Sequence, residues 1–178
     1  MDKPDARELL EQAVGGDTAA FGALVEAWYG AIYKMAWRWM GSRHDAEDLA
    51  QDVCVKLARA IRSFRHDARF ETWLYRLVYT TAVDHVRHRQ RTRPTADNVI
   101  PLFAPTHENS PEDEMINREV WDEIAKLPPR QRDAVLLVHG QDLSHAEASA
   151  IMGCSESTVS GHLFAARKQL KERLTASG

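Results

Sequence analysis

Apolar residues recur along most of this chain at three- and four-residue intervals, the period of an α-helix that buries one face. Phe21, Leu24, Val25 and Trp28 stand at i, i+3, i+4 and i+7, and Ile32, Met35, Ala36 and Trp39 carry the stripe on until Gly41-Ser42 interrupts it. Asp17 is placed to cap this helix. A second helix is predicted from about Asp45, with Leu49, Val53, Leu57 and Ile61 (and Ala60) on one face. A third is predicted over Phe70 to Arg91, turning Trp73, Leu74, Leu77, Val78, Ala82 and Val86 inward. No stretch alternates with the period of a strand, and no segment repeats.

The pattern lapses between Arg93 and Asp113. Pro94, Pro101, Pro105 and Pro111 fall there, and proline lacks the amide a helix needs and clashes with the preceding turn. An extended linker is expected. Its apolar patch, Val99-Ile100-Pro101-Leu102-Phe103, is predicted to dock on something. Helix resumes near Pro111 or Glu112, with Met115, Ile116, Val120, Ile124 and Leu127 inward. Three more helices follow Pro128-Pro129. The first holds Ala134, Val135, Leu137 and Val138 and ends at His139-Gly140. The next opens on Ser144-His145-Ala146-Glu147, a capping box, and ends at Gly153, suited to the left-handed residue after a helix. The last starts near Ser155 and is predicted to bury Val159, Leu163, Ala166, Leu170 and Leu174. The expected fold is all-α: two small helical domains, residues 8–92 and 112–176, joined by a proline-containing linker over 93–111.

Composition agrees with a packed, water-facing chain: 44% of the 178 residues are hydrophobic and 28% charged. No apolar run approaches the roughly 18 residues that cross a bilayer, and Met1-Asp2-Lys3-Pro4-Asp5 lacks the basic-then-apolar layout of a secretory signal. A cytoplasmic protein with no membrane insertion is expected. Cys54 and Cys154 stand far apart in apolar helical stretches, as small core residues would. The eight histidines form no H-x-x-x-H or H-E-x-x-H pattern. Neither a metal nor a cofactor is predicted.

Net charge is -3, which argues against nucleic acid only until it is mapped. Between Arg59 and Arg93 stand nine arginines against Asp67, Glu71 and Asp84, a local balance of +6. Arg167, Lys168, Lys171 and Arg173 add a second basic run, while acid gathers over Asp45–Asp52 and Glu108–Glu123. Such segregation lets one face meet phosphate and another meet protein.

Leu143 to Leu170 has helix-turn-helix form: a short capped helix, a tight Gly153-Cys154-Ser155 turn and a longer helix. Small polar residues at the second helix's start let it enter a major groove. Ser155, Ser157, Thr158 and Ser160 meet that need, with Arg167 and Lys168 behind them for phosphate. A helical hairpin in a bundle core has the same outline, and a repressor carries the same motif. Upstream, Asp45, Asp48 and Asp52 share one side of the second helix with Gln51 beside them, an arrangement that a helix start also favours electrostatically. The run Phe64-Arg65-His66-Asp67-Ala68-Arg69-Phe70-Glu71-Thr72-Trp73-Leu74-Tyr75-Arg76 interleaves aromatics with arginines. Stacking faces beside backbone-tracking cations suit single-stranded nucleic acid, although Phe70 and Trp73 also suit a core.

Together these segments resemble the extracytoplasmic-function sigma factors, and the resemblance covers most of the chain. "DAEDLAQDVCVKL" is similar to the family's helix that docks on the clamp helices of RNA polymerase. "FRHDARFETWLYRLVYTTAVDHVRHRQR" resembles its promoter-melting and -10 segment, and "LPPRQRDAVLLVHGQDLSHAEASAIMGCSESTVSGHLFAARKQL" its -35 domain. The resemblance implies a transcription initiation factor, not an enzyme. Its partners would be bacterial core polymerase (β′ clamp helices and β flap), promoter DNA and an anti-sigma factor. It places polymerase contacts at Asp45, Asp48, Gln51 and Asp52. Contacts to -10 DNA fall on Phe64, Arg65, His66, Asp67, Phe70, Trp73, Arg76, Thr80, Arg87 and Arg89. The -35 surface takes Ser155, Ser157, Thr158, Ser160, Gly161, His162, Phe164, Arg167 and Lys168. Relatives often carry asparagine at the position of Thr80, and arginine at those of Ser160, His162 and Ala165. Fewer cations there imply a flatter salt dependence for the -35 contact.

A free-standing repressor would explain the C-terminal half and predict a homodimer on a palindrome, but leaves the Asp45–Asp52 face without a task. A metal-dependent hydrolase would need convergent ligands or acid–base groups, and the sequence offers neither.

Overall fold

The computed structural model describes residues 6–92 and 111–176; the predicted linker and its apolar patch lie outside them. Eight α-helices and no strand occur among the described residues. Helix α1 spans Ala6–Val14 and α2 Thr18–Met40. Asp17 caps α2 as expected, its carboxylate accepting from the amides of Ala19 (2.8 Å) and Ala20 (3.0 Å). Gly41 closes it at φ 69°, a left-handed conformation that costs glycine little, and its N–H returns to the Trp37 carbonyl at 2.8 Å. Helix α3 spans Arg43–Ala60. It starts two residues earlier than predicted because Ser42, rather than a residue near Asp45, is its cap: the hydroxyl accepts from the Asp45 amide at 3.2 Å. A 3-10 turn at Ile61–Ser63 leads to a loop and then to α4, Phe70–Thr92.

Helices α1 to α4 close around Ile32, Met35, Ala36, Leu49, Val53, Leu57, Leu74 and Val78, all essentially fully buried. Each of these side chains other than Ala36 contributes about 1.5–3 kcal/mol by leaving water. Helix α1, which the periodicity reading passed over, adds Leu10 and Ala13 to the same core.

Helix α5 (Pro111–Ala125) and α6 (Pro129–Val135) open the C-terminal group, with Pro129 in the first turn of α6, where a missing amide costs nothing. Residues Leu136–Gly140 continue α6 as one π-helical turn. Helix α7 (His145–Met152) carries the predicted capping box: Ser144 Oγ accepts from the Glu147 amide at 3.2 Å and the Glu147 carboxylate from the Ser144 amide at 2.9 Å. Gly153, at φ 67°, turns the chain into α8, Glu156–Ala176. Leu136, Leu137, Ala148, Val159 and Ala166 form the centre of this group. Leu174 departs from expectation and is exposed. In that last turn Arg173 reaches back to α5 instead, 3.7 Å from Glu123.

The two groups touch. Helix α7 packs on α4, and Asp133 of α6 is buried between Trp39 of α2 and Tyr79 of α4. Its carboxylate accepts from Trp39 Nε1 at 3.2 Å and from the Tyr79 hydroxyl at 2.9 Å.

Candidate nucleic-acid and polymerase interface

The acidic helix α3 carries two stripes of different character. Asp45 and Asp52, seven residues apart, turn toward α4. There Asp45 pairs with Arg89 at 2.5 Å and Asp52 with His85 at 2.6 Å, while Lys56 lies 3.8 Å from Asp84. These pairs line an open cleft of about 580 Å³. The Ser42 hydroxyl also donates to the Asp45 carboxylate. Burial raises the Asp45 carboxyl, but Ser42 and Arg89 outweigh it and hold the group below its ordinary value. So Asp45, predicted to meet polymerase, and Arg89, predicted to meet DNA, are joined to each other.

One step round the same helix, Asp48, Gln51 and Val55 are exposed, Val55 to 51%. Among the described residues Asp48 has His44 of its own helix beside it, at 3.5 Å. Val55 escaped the sequence reading. Its position off the inner face, three residues from Asp52 and four from Gln51, was the signal that could have found it: nothing among the described residues covers an aliphatic side chain there.

The loop between the 3-10 turn and α4 is built on an aromatic cluster. Phe64 and Phe70 are 5% and 8% exposed. Phe64 meets Phe70 edge-on at 5.7 Å and Trp73 at 5.3 Å, and Trp28 closes the cluster on Phe70 at 5.6 Å. Such edge contacts are the preferred aromatic geometry. Phe64 and Phe70 therefore support the loop from beneath, and Trp73 is half-buried at its edge. Arg65, His66 and Asp67 stand above them in solvent. His66 takes φ 59°, uncommon for a residue with a side chain, and its ring lies 4.7 Å from Phe64. Along α4, Arg76, Thr80 and Arg87 are exposed; the Thr80 hydroxyl donates to the Leu77 carbonyl at 3.1 Å.

On α8 the predicted residues form one surface. Ser155, Ser157, Thr158, Ser160, Gly161, Phe164, Arg167 and Lys168 are all exposed, and His162 is half-buried. Ser155 Oγ bonds to Ser157 at 2.9 Å and Thr158 at 2.8 Å, and Ser160 to His145 of α7 at 3.0 Å. Phe164 is 73% exposed, the most open large apolar side chain on this face. Cys54 and Cys154 are free thiols, half-buried. No helix among the described residues is long and apolar enough to cross a membrane.

Comparison with known proteins matches residues 24–92 to Sigma-70 region 2 and residues 117–170 to Sigma-70, region 4. The chain is 30% identical over 178 residues to the ECF RNA polymerase sigma-E factor of Haemophilus influenzae, covering 93% of each chain. It is 32% identical to the RNA polymerase sigma-H factor of Pseudomonas aeruginosa, over 94% of this chain and 93% of that one. Among solved structures, CnrH in complex with the cytosolic domain of CnrY is similar with a TM-score of 0.71 and 28% identity, over 98% of this chain and 100% of the other. The sigma factor RpoE of Bartonella quintana, in complex with the anti-sigma factor NepR, shares the fold with a TM-score of 0.71. The helical architecture, the two matched regions and near-full-length relatives converge: the chain belongs to the extracytoplasmic-function sigma factors, the promoter-specific initiation factors of bacterial RNA polymerase.

Proposed function

We propose that residues 8–92 bind core polymerase and open the -10 element, that 93–111 connect, and that 112–176 read the -35 element as duplex. The observation that carries the first assignment is the exposed Asp48-Gln51-Val55 stripe on α3. It is acidic, amide-bearing and apolar in succession, and nothing among the described residues covers it. Asp45 and Asp52 hold α3 in register on α4 and present that stripe to the β′ clamp helices. The α8 surface, with the β flap behind it, takes the -35 duplex.

At -10, Arg65, His66 and Asp67 form the rim that receives an unpaired base, over the Phe64–Phe70–Trp73 floor. Arg76, Thr80 and Arg87 follow the strand along α4. Binding free energy spent on unpaired bases supplies melting, so the chain needs no nucleotide chemistry of its own and acts as a non-enzymatic factor in the cytoplasm, where polymerase works. The two contacts are weak singly and strengthen each other when polymerase holds both. An anti-sigma factor regulates it; the Bartonella relative, which shares this fold, was solved with one.

The test is anisotropy of labelled chain titrated with bacterial core polymerase. Wild type binds, and Asp48→Ala with Gln51→Ala weakens binding at least tenfold. Equal binding by both would remove α3 from the interface.

A further inference from the structure

We infer that His145 is a positioning residue for the -35 contact: it fixes which way the Ser160 hydroxyl points, and so which base Ser160 reads. The inference rests on the reading that α8 takes the -35 duplex. Ser160 is the fifth residue of α8, in the stretch of a recognition helix that meets base edges. Val159 and Leu163 are buried on its inner side, while Ser160 itself is exposed. Gly161 follows, and a Cβ there would meet no other part of the fold within 4 Å. The space beside the hydroxyl is open to a base edge.

The hydroxyl has an unusual partner. Thr80, Thr81, Thr92, Ser149 and Thr175 each turn their hydroxyl back to a carbonyl of their own helix, the ordinary habit of such residues. Ser160 instead reaches across to His145 of α7, with Oγ 3.0 Å from Nδ1. His145 is the first residue of α7, and both side chains are exposed. The pair joins the two helices of the motif on its outer face.

What the pair offers a base depends on its protons. A hydroxyl has one hydrogen to give and two lone pairs; neutral imidazole has one N–H and one bare nitrogen, and imidazolium has two N–H groups. With neutral His145 carrying its proton on Nε2, Nδ1 accepts the Ser160 hydrogen. Ser160 then shows a base only lone pairs and suits a donor, the N6 amine of adenine or the N4 amine of cytosine. Once His145 is protonated, Nδ1–H donates to Ser160 Oγ and the hydroxyl hydrogen turns outward. It then suits guanine, which offers two acceptors and no donor in the major groove. Histidine changes charge between pH 5 and 8, so one base position is read differently at the two ends of that range.

The neighbouring elements bring few other charges. On α7 the other charged residue is Glu147, whose carboxylate accepts from the Ser144 amide and lies 3.7 Å from Arg69; Arg69 also pairs with Glu71 of α4. The turn at Leu136–Gly140 brings His139, and α8 brings Glu156 one turn before Ser160 and His162 two residues after it.

The test joins the full chain to core polymerase and offers it a pool of duplexes with a randomised -35 segment ahead of a fixed segment from the chain's own upstream region. Bound duplexes are sequenced at pH 8 and at pH 6, two sides of the histidine range. Scoring base ratios within each column cancels any uniform gain in affinity from the added charge. Wild type should shift at one column, guanine rising against adenine and cytosine by about threefold at pH 6, the worth of one hydrogen bond. His145→Ala and Ser160→Ala should each give that column the same preference at both pH values, while His162→Gln keeps the shift. Circular dichroism checks helicity, and two variants at separate exposed positions keep the test decisive if one misfolds. A wild-type pool with no pH-dependent column, or a shift that survives His145→Ala or Ser160→Ala, would overturn the inference and leave the -35 reading standing. If no column shows a preference with any form, the -35 reading falls and the inference with it.

Discussion

On α8 the polar side chains from Ser155 to Lys168 face solvent, bonded mainly to one another and to His145, whereas along the α3–α4 seam Asp45, Asp52 and Lys56 meet Arg89, His85 and Asp84. The first surface is uncommitted: short hydroxyls, a bare Gly161 and an open Phe164 can approach base edges without first breaking strong bonds. The second is committed internally, and what it leaves outward is the Asp48-Gln51-Val55 stripe. A chain can thus carry many charges in a functional region and still offer few of them to a partner. Net charge along the sequence measures supply; pairing in the fold decides what is presented.

The largest expected effect comes from spoiling the outward stripe. Asp48→Lys with Val55→Glu should lower affinity for core polymerase by about 100-fold, near 2.7 kcal/mol, while leaving thermal stability within about 0.5 kcal/mol of wild type, as exposed positions do. A comparable loss of stability would mean the stripe belongs to the fold.

Next comes the scaffold of the open surface. Ser144→Ala removes the α7 cap and should cost about 1 kcal/mol, read as a lower thermal midpoint. The Glu147 carboxyl is held below its ordinary value, first by the Ser144 backbone N–H and then by its hydroxyl. A depressed carboxyl stabilises above the ordinary glutamate value and loses that contribution as pH falls through the depressed one. Wild type should therefore exceed Glu147→Gln in stability at pH 7, and the gap should close below about pH 4.

Arg167→Ala should weaken duplex binding several-fold regardless of sequence and flatten the slope of log affinity against log salt by about 1. The smallest effect belongs to the committed seam. Arg89→Ala releases Asp45 but should cost under about 1 kcal/mol, because the pair is partly exposed. A large loss there would show the seam to be a structural core in its own right.

The helices were legible because their apolar stripes run for many turns, and caps such as Asp17 and Ser144 announce themselves in sequence. Boundaries were harder. Whether Ser42 or a residue nearer Asp45 begins α3 depends on which hydroxyl reaches which amide, and Leu174 looked inward only because its spacing from Leu170 fits. Helix α1 was passed over although Leu10 and Ala13 stand four apart from neighbours of similar character; nine residues give periodicity little to work on. The candidate residues could be assigned to their helices, but not their pairing. Asp133 meets Trp39 across 94 residues of sequence, and no local pattern encodes a partner at that distance. Likewise, aromatics interleaved with arginines did not reveal that Phe64 and Phe70 point down while Arg65, His66 and Asp67 point up.

The most direct measurement of the central claim is run-off transcription with purified bacterial core polymerase on promoter fragments that include the chain's own upstream region. Specific transcripts are expected only when the chain is added, lost with Asp48→Lys plus Val55→Glu and kept with Arg89→Ala. Absence of transcripts, with the chain instead shifting a palindromic duplex as a homodimer, would contradict it.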